Sequence, residues 1–556
     1  MTSTSEIETD HPYRRLLLGF FIAVCVYLFF LEPWGHDTWY HVLRLLDVAA
    51  QFEDGRYYVH FASNAAQGKG LPVWIYYSQW IYWPPMFLMF LGSGPLVALK
   101  IVYCALLLVC TAGCYLLLRV ESDDEKAAFG TLLFVTSNYV IGEISQRSAY
   151  AEFWSVAFLP LLLLAMNRYM IGRGRASALA VVLLAAVMIL AHPLSFMNAG
   201  WALAAYAAYV VTRWRAPYGR LLGIVAQLVL ALGLTAFYWL PAVVETGDVL
   251  GANGVPTPIQ ETFLDLWRYL NFSGPNNAGP VLTVLVPAVA VCVFFGRQVY
   301  DAAGRWSSWP LVAGALVYVF LTVRISEPLY SRVPFLASNL WVWRVLFPMI
   351  LLAVILITPR LEALPARLRT QRIFALAAVV AVLQAAAFIL WNTASYLSVR
   401  SVELDEMLPH LAYDGERTEG FGVDEYLPNP GTQRSLGDEC RSFRRVAASG
   451  SYEETFEIAP DEADVCIRLG RYWNTRYAAS VAGEEVPVYA DEKREIVIVP
   501  NGRTGTAQLR FTRPVYVTVG MIVSVISGLA VLIISAAVVA GRRHPSGDPH
   551  AAPEPR

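Results

Sequence analysis

The segment Gly35-His36-Asp37-Thr38-Trp39-Tyr40-His41-Val42-Leu43-Arg44 gathers a carboxylate, two imidazoles and a guanidinium just after the first apolar run of the chain. A positioned carboxylate can take a proton from a hydroxyl as that hydroxyl attacks. Asp37 is therefore a candidate general base, and His36 and His41 are groups that could tune or assist it. Helical spacing gives the same residues a second reading. Trp39, Val42, Leu43, Leu46 and Ala50 would share an apolar face, with Asp37, His41 and Arg44 near its exposed edge. That pattern describes an amphipathic helix lying on a membrane surface, and Asp is favoured at a helix start for its bond to backbone N–H groups. Spacing alone leaves both roles of Asp37 open, and the histidines also read as ordinary loop or interface residues.

The elements that must position this segment are membrane helices. The 556 residues are 56% hydrophobic and only 15% charged, with a mean hydropathy of +0.47, too apolar for a soluble globular domain. A net charge of −2 and a pI near 6.5 supply no basic field for nucleic acid. The first apolar run, 16–31, has no small-residue cleavage site after it and reads as a retained helix. Further spans are expected at 95–118, 127–142, 153–167, 177–192, 196–212, 221–241, 280–296, 307–323, 341–358, 373–391 and 514–540, about twelve in all. With the N-terminus cytoplasmic, the inner loops collect Arg and Lys, from Arg14 and Arg15 to Arg542 and Arg543. The short outer loops hold Arg147, Arg268, Arg324 and Arg332, so the bias favours this orientation.

Two outer segments are too long and polar to be turns, 32–94 and about 391–513. The second has period-two stretches at 485–489, 495–499 and 507–511, with a turn at Asn501-Gly502 between the last two. The expected organisation is a membrane domain over 1–391, an outer β-rich domain over 392–513, a last helix over 514–541 and a disordered cytoplasmic tail over 542–556. Cys440 and Cys466 are the two cysteines of the outer domain, and a disulfide between them suits an oxidising compartment. No His/Cys cluster has zinc-ligand spacing, and no phosphate-cradling glycine loop opens a helix in a βαβ context. The first outer segment also carries Trp74-Ile75-Tyr76-Tyr77-Ser78-Gln79-Trp80-Ile81-Tyr82-Trp83-Pro84-Pro85. These aromatics fit an interfacial belt. They equally suit a site holding a sugar face and a lipid chain, with Tyr82 and Trp83 among the candidates.

The segment from Gly35 to Pro85 resembles the first outer loop of GT-C glycosyltransferases, most closely the bacterial and archaeal membrane proteins catalogued as 6-pyruvoyl-tetrahydropterin synthase-related, a label that describes no pterin activity. The likeness recurs in order along nearly the whole chain: Arg147-Ser148-Ala149-Tyr150-Ala151-Glu152-Phe153, Ala191-His192-Pro193-Leu194-Ser195, Trp343-Arg344-Val345-Leu346, Asp424-Glu425-Tyr426-Leu427-Pro428, and Arg471-Tyr472-Trp473-Asn474 through Leu509-Arg510-Phe511. The last stretch is similar to a small β-sandwich that precedes the final helix in this family and in YfhO-like proteins.

The resemblance implies an α-helical polytopic membrane protein of GT-C type with a C-terminal periplasmic β-sandwich-like domain, in a bacterial inner membrane. It implies inverting transfer of a sugar from a polyprenyl-phosphate donor to a glycan or glycolipid acceptor of the cell envelope, on the periplasmic side. Asp37 matches the family's base. Phosphate charge developing on the leaving group asks for fixed cations, for which Arg44, Arg147 and Arg344 are candidates. His36, His41, Glu152, Tyr82, Trp83, Glu425 and Tyr426 are candidates for binding acceptor or sugar. Each has a structural alternative: Arg344 snorkelling to headgroups, Arg147 paired with Glu143 or Glu152, Glu152 at a helix start, His192 marking a helix end. Asp37 lacks the adjacent acid of several GT-C subfamilies, so no metal site is assigned, although a divalent cation remains open as a cofactor. Two other classes compete with the enzyme: a flippase or transporter of lipid-linked sugar, and a non-catalytic scaffold for polysaccharide assembly. Against transport, no repeat relates the two halves and few charges lie inside the spans.

Overall fold

The structure, a computed structural model, describes residues 12–30, 35, 37–62, 65, 69–172, 174–249, 262–263, 307–333, 336, 342–363, 382–383, 386, 389–390, 429, 440, 442–446 and 453–543. Its architecture is an α-helical membrane body followed by a small two-sheet β region and a last long helix. The helices used below are α1 (Pro12–Phe30), α2 (Thr38–Glu53), α3 (Pro95–Leu118), α4 (Asp124–Val135), α5 (Asn138–Arg147), α6 (Tyr150–Met170), α7 (Arg175–Ala191), α8 (Pro193–Trp214), α9 (Gly219–Leu234), α10 (Ala236–Val244), α11 (Trp309–Thr322), α12 (Val342–Arg360) and α13 (Val515–Arg543).

Among the described residues, 6 helices are long and apolar enough to cross a bilayer, or up to 9 when each bent pair counts as one span. The bent pairs are α4 with α5 at 48°, α9 with α10 at 75°, and α11 with 324–332 at 86°. Together with the shorter α7, these fall on every expected span except 280–296 and 373–391, which lie outside or almost wholly outside the described residues. Backbone freed at such breaks must find partners inside the protein. The Leu232 carbonyl, just before the break between α9 and α10, does this by accepting from Trp239 Nε1 at 2.8 Å and the Thr235 hydroxyl at 3.2 Å.

α6 is the central helix. Its most apolar window is 89% buried, against 17% for the window of α13, so α6 is coated by protein and α13 largely by the surrounding medium. α3, α7 and α8 pack around α6. Polar contacts gather at one end of the bundle. Arg14 pairs with Asp124, Arg119 Nε meets Asp124 at 2.6 Å, and Arg213 Nε meets Glu121 at 3.3 Å. α13 crosses α9 and α10 closely enough that a Cβ on Gly520 would lie 2.8 Å from the Ala236 carbonyl oxygen. Small residues allow such approach between membrane helices.

The β region has two four-stranded sheets. β1 (Phe443–Val446), β3 (Cys466–Tyr472), β7 (Glu495–Ile498) and β6 (Val488–Ala490) form one in that order. β2 (Glu454–Ile458), β8 (Gly505–Phe511), β4 (Tyr477–Val481) and β5 (Glu484–Val486) form the other. β1 and β3 are parallel and the other pairs antiparallel. Asn501 and Gly502 both take positive φ, 57° and 77°, as a tight turn requires. This turn joins β7 of one sheet to β8 of the other, so it is a crossover between sheets and no hairpin. A disulfide joins Cys440 to Cys466 with Cα atoms 5.8 Å apart, beside Tyr489, Val497 and Val499.

Candidate functional site

α2 presents its polar side to the protein. Thr38, His41, Arg44, Asp47 and Gln51 are all at most 6% exposed, whereas Leu46 is 41% exposed. The apolar-face assignment made from spacing is thus corrected: His41 and Arg44 do not edge a solvent-facing surface, and Asp37 is half-buried. Burying so many polar groups is tolerable only if each is hydrogen-bonded or paired. Asp47 accepts from Gln51 Nε2 at 2.6 Å and Trp74 Nε1 at 2.8 Å. The Arg44 guanidinium lies 4.2 Å from the Tyr77 ring centroid, a cation–π contact.

Asp37 occupies the N-cap position of α2, yet its side chain makes no capping hydrogen bond. Its place is fixed through the backbone instead. Asp37 N–H donates to the Arg147 carbonyl at 2.7 Å, and Thr38 and Ser148 hydroxyls stand 3.0 Å apart. Gly35 is needed here, because a Cβ would lie 2.1 Å from Ser148 Oγ. The carboxylate interacts electrostatically with Arg147 and His41.

His41 is held at both ring nitrogens. Tyr150 N–H donates to Nε2 at 3.2 Å, which leaves Nδ1 to carry the proton toward the Tyr82 hydroxyl at 2.8 Å. Burial, with the charge of Arg44 adding to it, pushes the imidazole down to about 3, so it is neutral across ordinary pH. These bonds make His41 a pin between α2, Tyr82 and the start of α6.

The acid–arginine cluster is built by a π-helical turn at Glu143–Arg147, followed by Ser148 in the left-handed region at φ 53°. Both features are costly and recur at functional sites. The turn brings Arg147 Nη1 to Glu143 at 2.5 Å and to Glu152 at 3.1 Å. Glu152 also accepts from the Tyr139 hydroxyl and faces Arg344 Nε at 3.4 Å. His192 caps α8, its Nδ1 accepting from Ser195 N–H at 3.1 Å. Burial and the nearby Arg344 hold this imidazole down at about 3.

The structure therefore brings Asp37, His41, Arg44, Tyr82, Arg147, Glu152 and Arg344 into one connected network. Trp83 follows Tyr82 at the start of a short helix, Trp83–Phe90, and is half-buried. His36, Glu425 and Tyr426 lie outside the described residues. Tyr77, Tyr139 and Ser148 belong to the network and were missed from sequence. For Tyr77 and Tyr139 the signal was weak, because tyrosines beside a membrane read first as a belt. Among the described residues no three His, Cys, Asp or Glu side chains are grouped as metal ligands, and cationic charge beside Glu143 and Glu152 comes from Arg147 and Arg344.

A family described as 6-pyruvoyl-tetrahydropterin synthase related domain, membrane protein, matches residues 75–396. No curated protein matches the chain in sequence. Among solved structures, the chain is similar to the arabinofuranosyltransferase AftD from Mycobacteria, with a TM-score of 0.42 and 15% identity over 68% of this chain and 27% of that one. It therefore spans little more than a quarter of that protein. It is also similar to the archaeal oligosaccharyltransferase AglB from Archaeoglobus fulgidus, in complex with an inhibitory peptide and a dolichol-phosphate, with a TM-score of 0.40 and 14% identity over 78% and 62% of the two chains. A third is ArnT from Cupriavidus metallidurans bound to undecaprenyl phosphate, with a TM-score of 0.35 and 15% identity over 87% and 98%.

Proposed function

The chain belongs to the 6-pyruvoyl-tetrahydropterin synthase-related family of membrane proteins, and from that premise we propose that it is an inverting glycosyltransferase of GT-C type. It moves a sugar from a polyprenyl-phosphate donor to a glycan or glycolipid acceptor of the cell envelope, at the periplasmic face of a bacterial inner membrane. The observation that carries this reading is the Asp37 carboxylate, which heads a buried polar helix, takes no part in capping and is anchored by its own backbone to the arginine–glutamate cluster.

In this reading Asp37 accepts the proton of the acceptor hydroxyl as it attacks the anomeric carbon. The bond from that carbon to the donor phosphate breaks, and the phosphate leaves with added negative charge. Arg344 is the cation best placed to meet that charge. Its Nε stands 3.4 Å from Glu152 without completing a hydrogen bond, so it keeps a donor for a phosphate while still facing that carboxylate. Arg147 is engaged by two carboxylates, and holding the cluster together is its main task. Arg44, stacked on Tyr77, adds positive charge near His41. His41, fixed and neutral, orients α2.

The test is sugar transfer by purified protein in lipid, from a panel of radiolabelled polyprenyl-phosphate sugars to envelope glycan extract. Asp37→Asn should lower transfer by about 10²- to 10⁴-fold while the protein stays folded, since Asn also suits an N-cap and the backbone bond to Arg147 is kept. Transfer at the wild-type rate in that variant would remove Asp37 as the base.

A further inference from the structure

The core of the C-terminal β region contains one residue from the opposite end of the sequence. Phe61 is fully buried in a cluster with Ile467, Leu469, Ile498 and Leu509, and every other described member of that cluster comes from the β region. Its ring meets Tyr477 at 5.9 Å and Phe511 at 5.6 Å between centroids. The segment presenting it is shaped for the purpose. Ala62 and Leu71 pair through backbone bonds of 2.7 and 3.1 Å, and Gly70 sits at φ +76° where a Cβ would fall 2.1 Å from the Phe61 ring. Neighbouring Lys69 reinforces the contact, accepting from Tyr472 N–H at 3.1 Å and pairing with Glu495 at 2.8 Å.

The other side of Phe61 faces α2. Its carbonyl accepts from Gln51 Nε2 at 3.3 Å, and Gln51 is bonded to Asp47, which in turn holds Trp74. A continuous path of packing and hydrogen bonds thus runs from the β-region core through Phe61 into the helix that Asp37 heads. We propose that Phe61 is a positioning residue: the β region closes its core around the Phe61 side chain and thereby holds α2, and Asp37 with it, in place. The β region then has a task besides any contact with acceptor. The catalytic part of this inference rests on the proposed transferase reading; the structural part does not.

Hydrogen exchange of the full-length protein in lipid nanodiscs tests it. Phe61→Ala should speed amide exchange across 38–53 by about tenfold or more and leave central α6 peptides at the wild-type rate, with Phe61→Leu restoring most of the protection. Gln51→Met cuts the hydrogen-bonded link without opening the β core, and should loosen 38–53 while β3 and β8 stay protected. Where transfer is measurable, Phe61→Ala should lower kcat with little change in donor KM, as expected for a misplaced base. Unchanged exchange over 38–53 in both Phe61→Ala and Gln51→Met would overturn the inference even in an active enzyme. Retained activity in Asp37→Asn would overturn the transferase reading alone and leave the exchange result standing.

Discussion

Replacing Arg476 with alanine should undock the β region from the membrane body, because among the described residues Arg476 forms the most deeply buried ionic contact between them. Its side chain is 1% exposed and that of Glu245, at the end of α10, 2%. Arg476 Nε donates to both Glu245 oxygens at 2.9 Å, and Nη2 makes a further bond to Oε1. Tyr76 donates its hydroxyl to the Glu245 carbonyl at 2.6 Å, and Thr475 bonds Asp248 at 2.5 Å. Removing one member of such a pair costs about 3–5 kcal/mol, mostly because the other charge is left buried and alone. That corresponds to roughly a 10²- to 5 × 10³-fold rise in the open population. Burial raises the Glu245 carboxyl more than Arg476 lowers it, so without the arginine it protonates more readily still. The penalty should therefore shrink as pH falls from about 7 to about 5. Native-state proteolysis in nanodiscs reads the open population directly when opening is fast relative to cleavage. The double variant Arg476→Met with Glu245→Leu should recover much of the loss, since paired apolar groups of similar volume often replace a buried ion pair. Cleavage of Arg476→Ala within about threefold of wild type, or a double variant as open as the sum of its singles, would refute this account.

Acid sensitivity should come from three histidines. His41, His60 and His192 are each held near 3, chiefly by burial, against an ordinary 6.5; the unfolded imidazoles take up protons that the native ones refuse, so their contribution is complete above about pH 6.5 and is lost as pH falls toward 3. Thermal unfolding should show Tm dropping between about pH 7 and pH 5, more shallowly in His41→Gln, and an identical slope in that variant would count against the assignment. The two cluster arginines should separate by assay: Arg344→Met, which leaves Glu152 paired with Arg147, is expected to lower transfer by about 10²-fold with the smaller effect on Tm, whereas Arg147→Met, which strands Glu143 and leaves Glu152 with Arg344, should cost about 3–5 kcal/mol of stability. Equal loss of Tm in both variants would show that Arg344 is structural too.

Helix positions were legible because span length and loop charge are set by the bilayer and depend little on packing. The expected boundaries at 95 and 118 coincide with α3, and those at 196–212 lie inside α8. The breaks were less legible. Little in the apolar run over 221–241 marks the 75° bend between α9 and α10, where Trp239 Nε1 and the Thr235 hydroxyl supply replacement hydrogen bonds to the Leu232 carbonyl. In the β region, alternation located β7 and β8 but could not say that they belong to different sheets. All four residues of β7 are buried, because one face meets the sandwich core and the other the disulfide-bearing cluster. Phe61 was illegible for a related reason, since its partners lie some four hundred residues away and no local pattern distinguishes it from its aromatic neighbours.

The reading of α2 failed by assuming that polar residues seek the outside. Buried polar groups are stable once they find one another. His41, Arg44, Asp47 and Gln51 recur at three- and four-residue spacing, which is itself a helical stripe, and it is this stripe that turns inward. α6 obeys the same rule at Glu152, which is 2% exposed and is held by Arg147 and the Tyr139 hydroxyl. A polar stripe on a helix of such a chain thus points to where the interior chemistry lies, and on α2 and α6 it points to the same cluster, with His41 accepting from the first residue of α6 and Asp37 donating to the carbonyl of Arg147, which in turn holds Glu152.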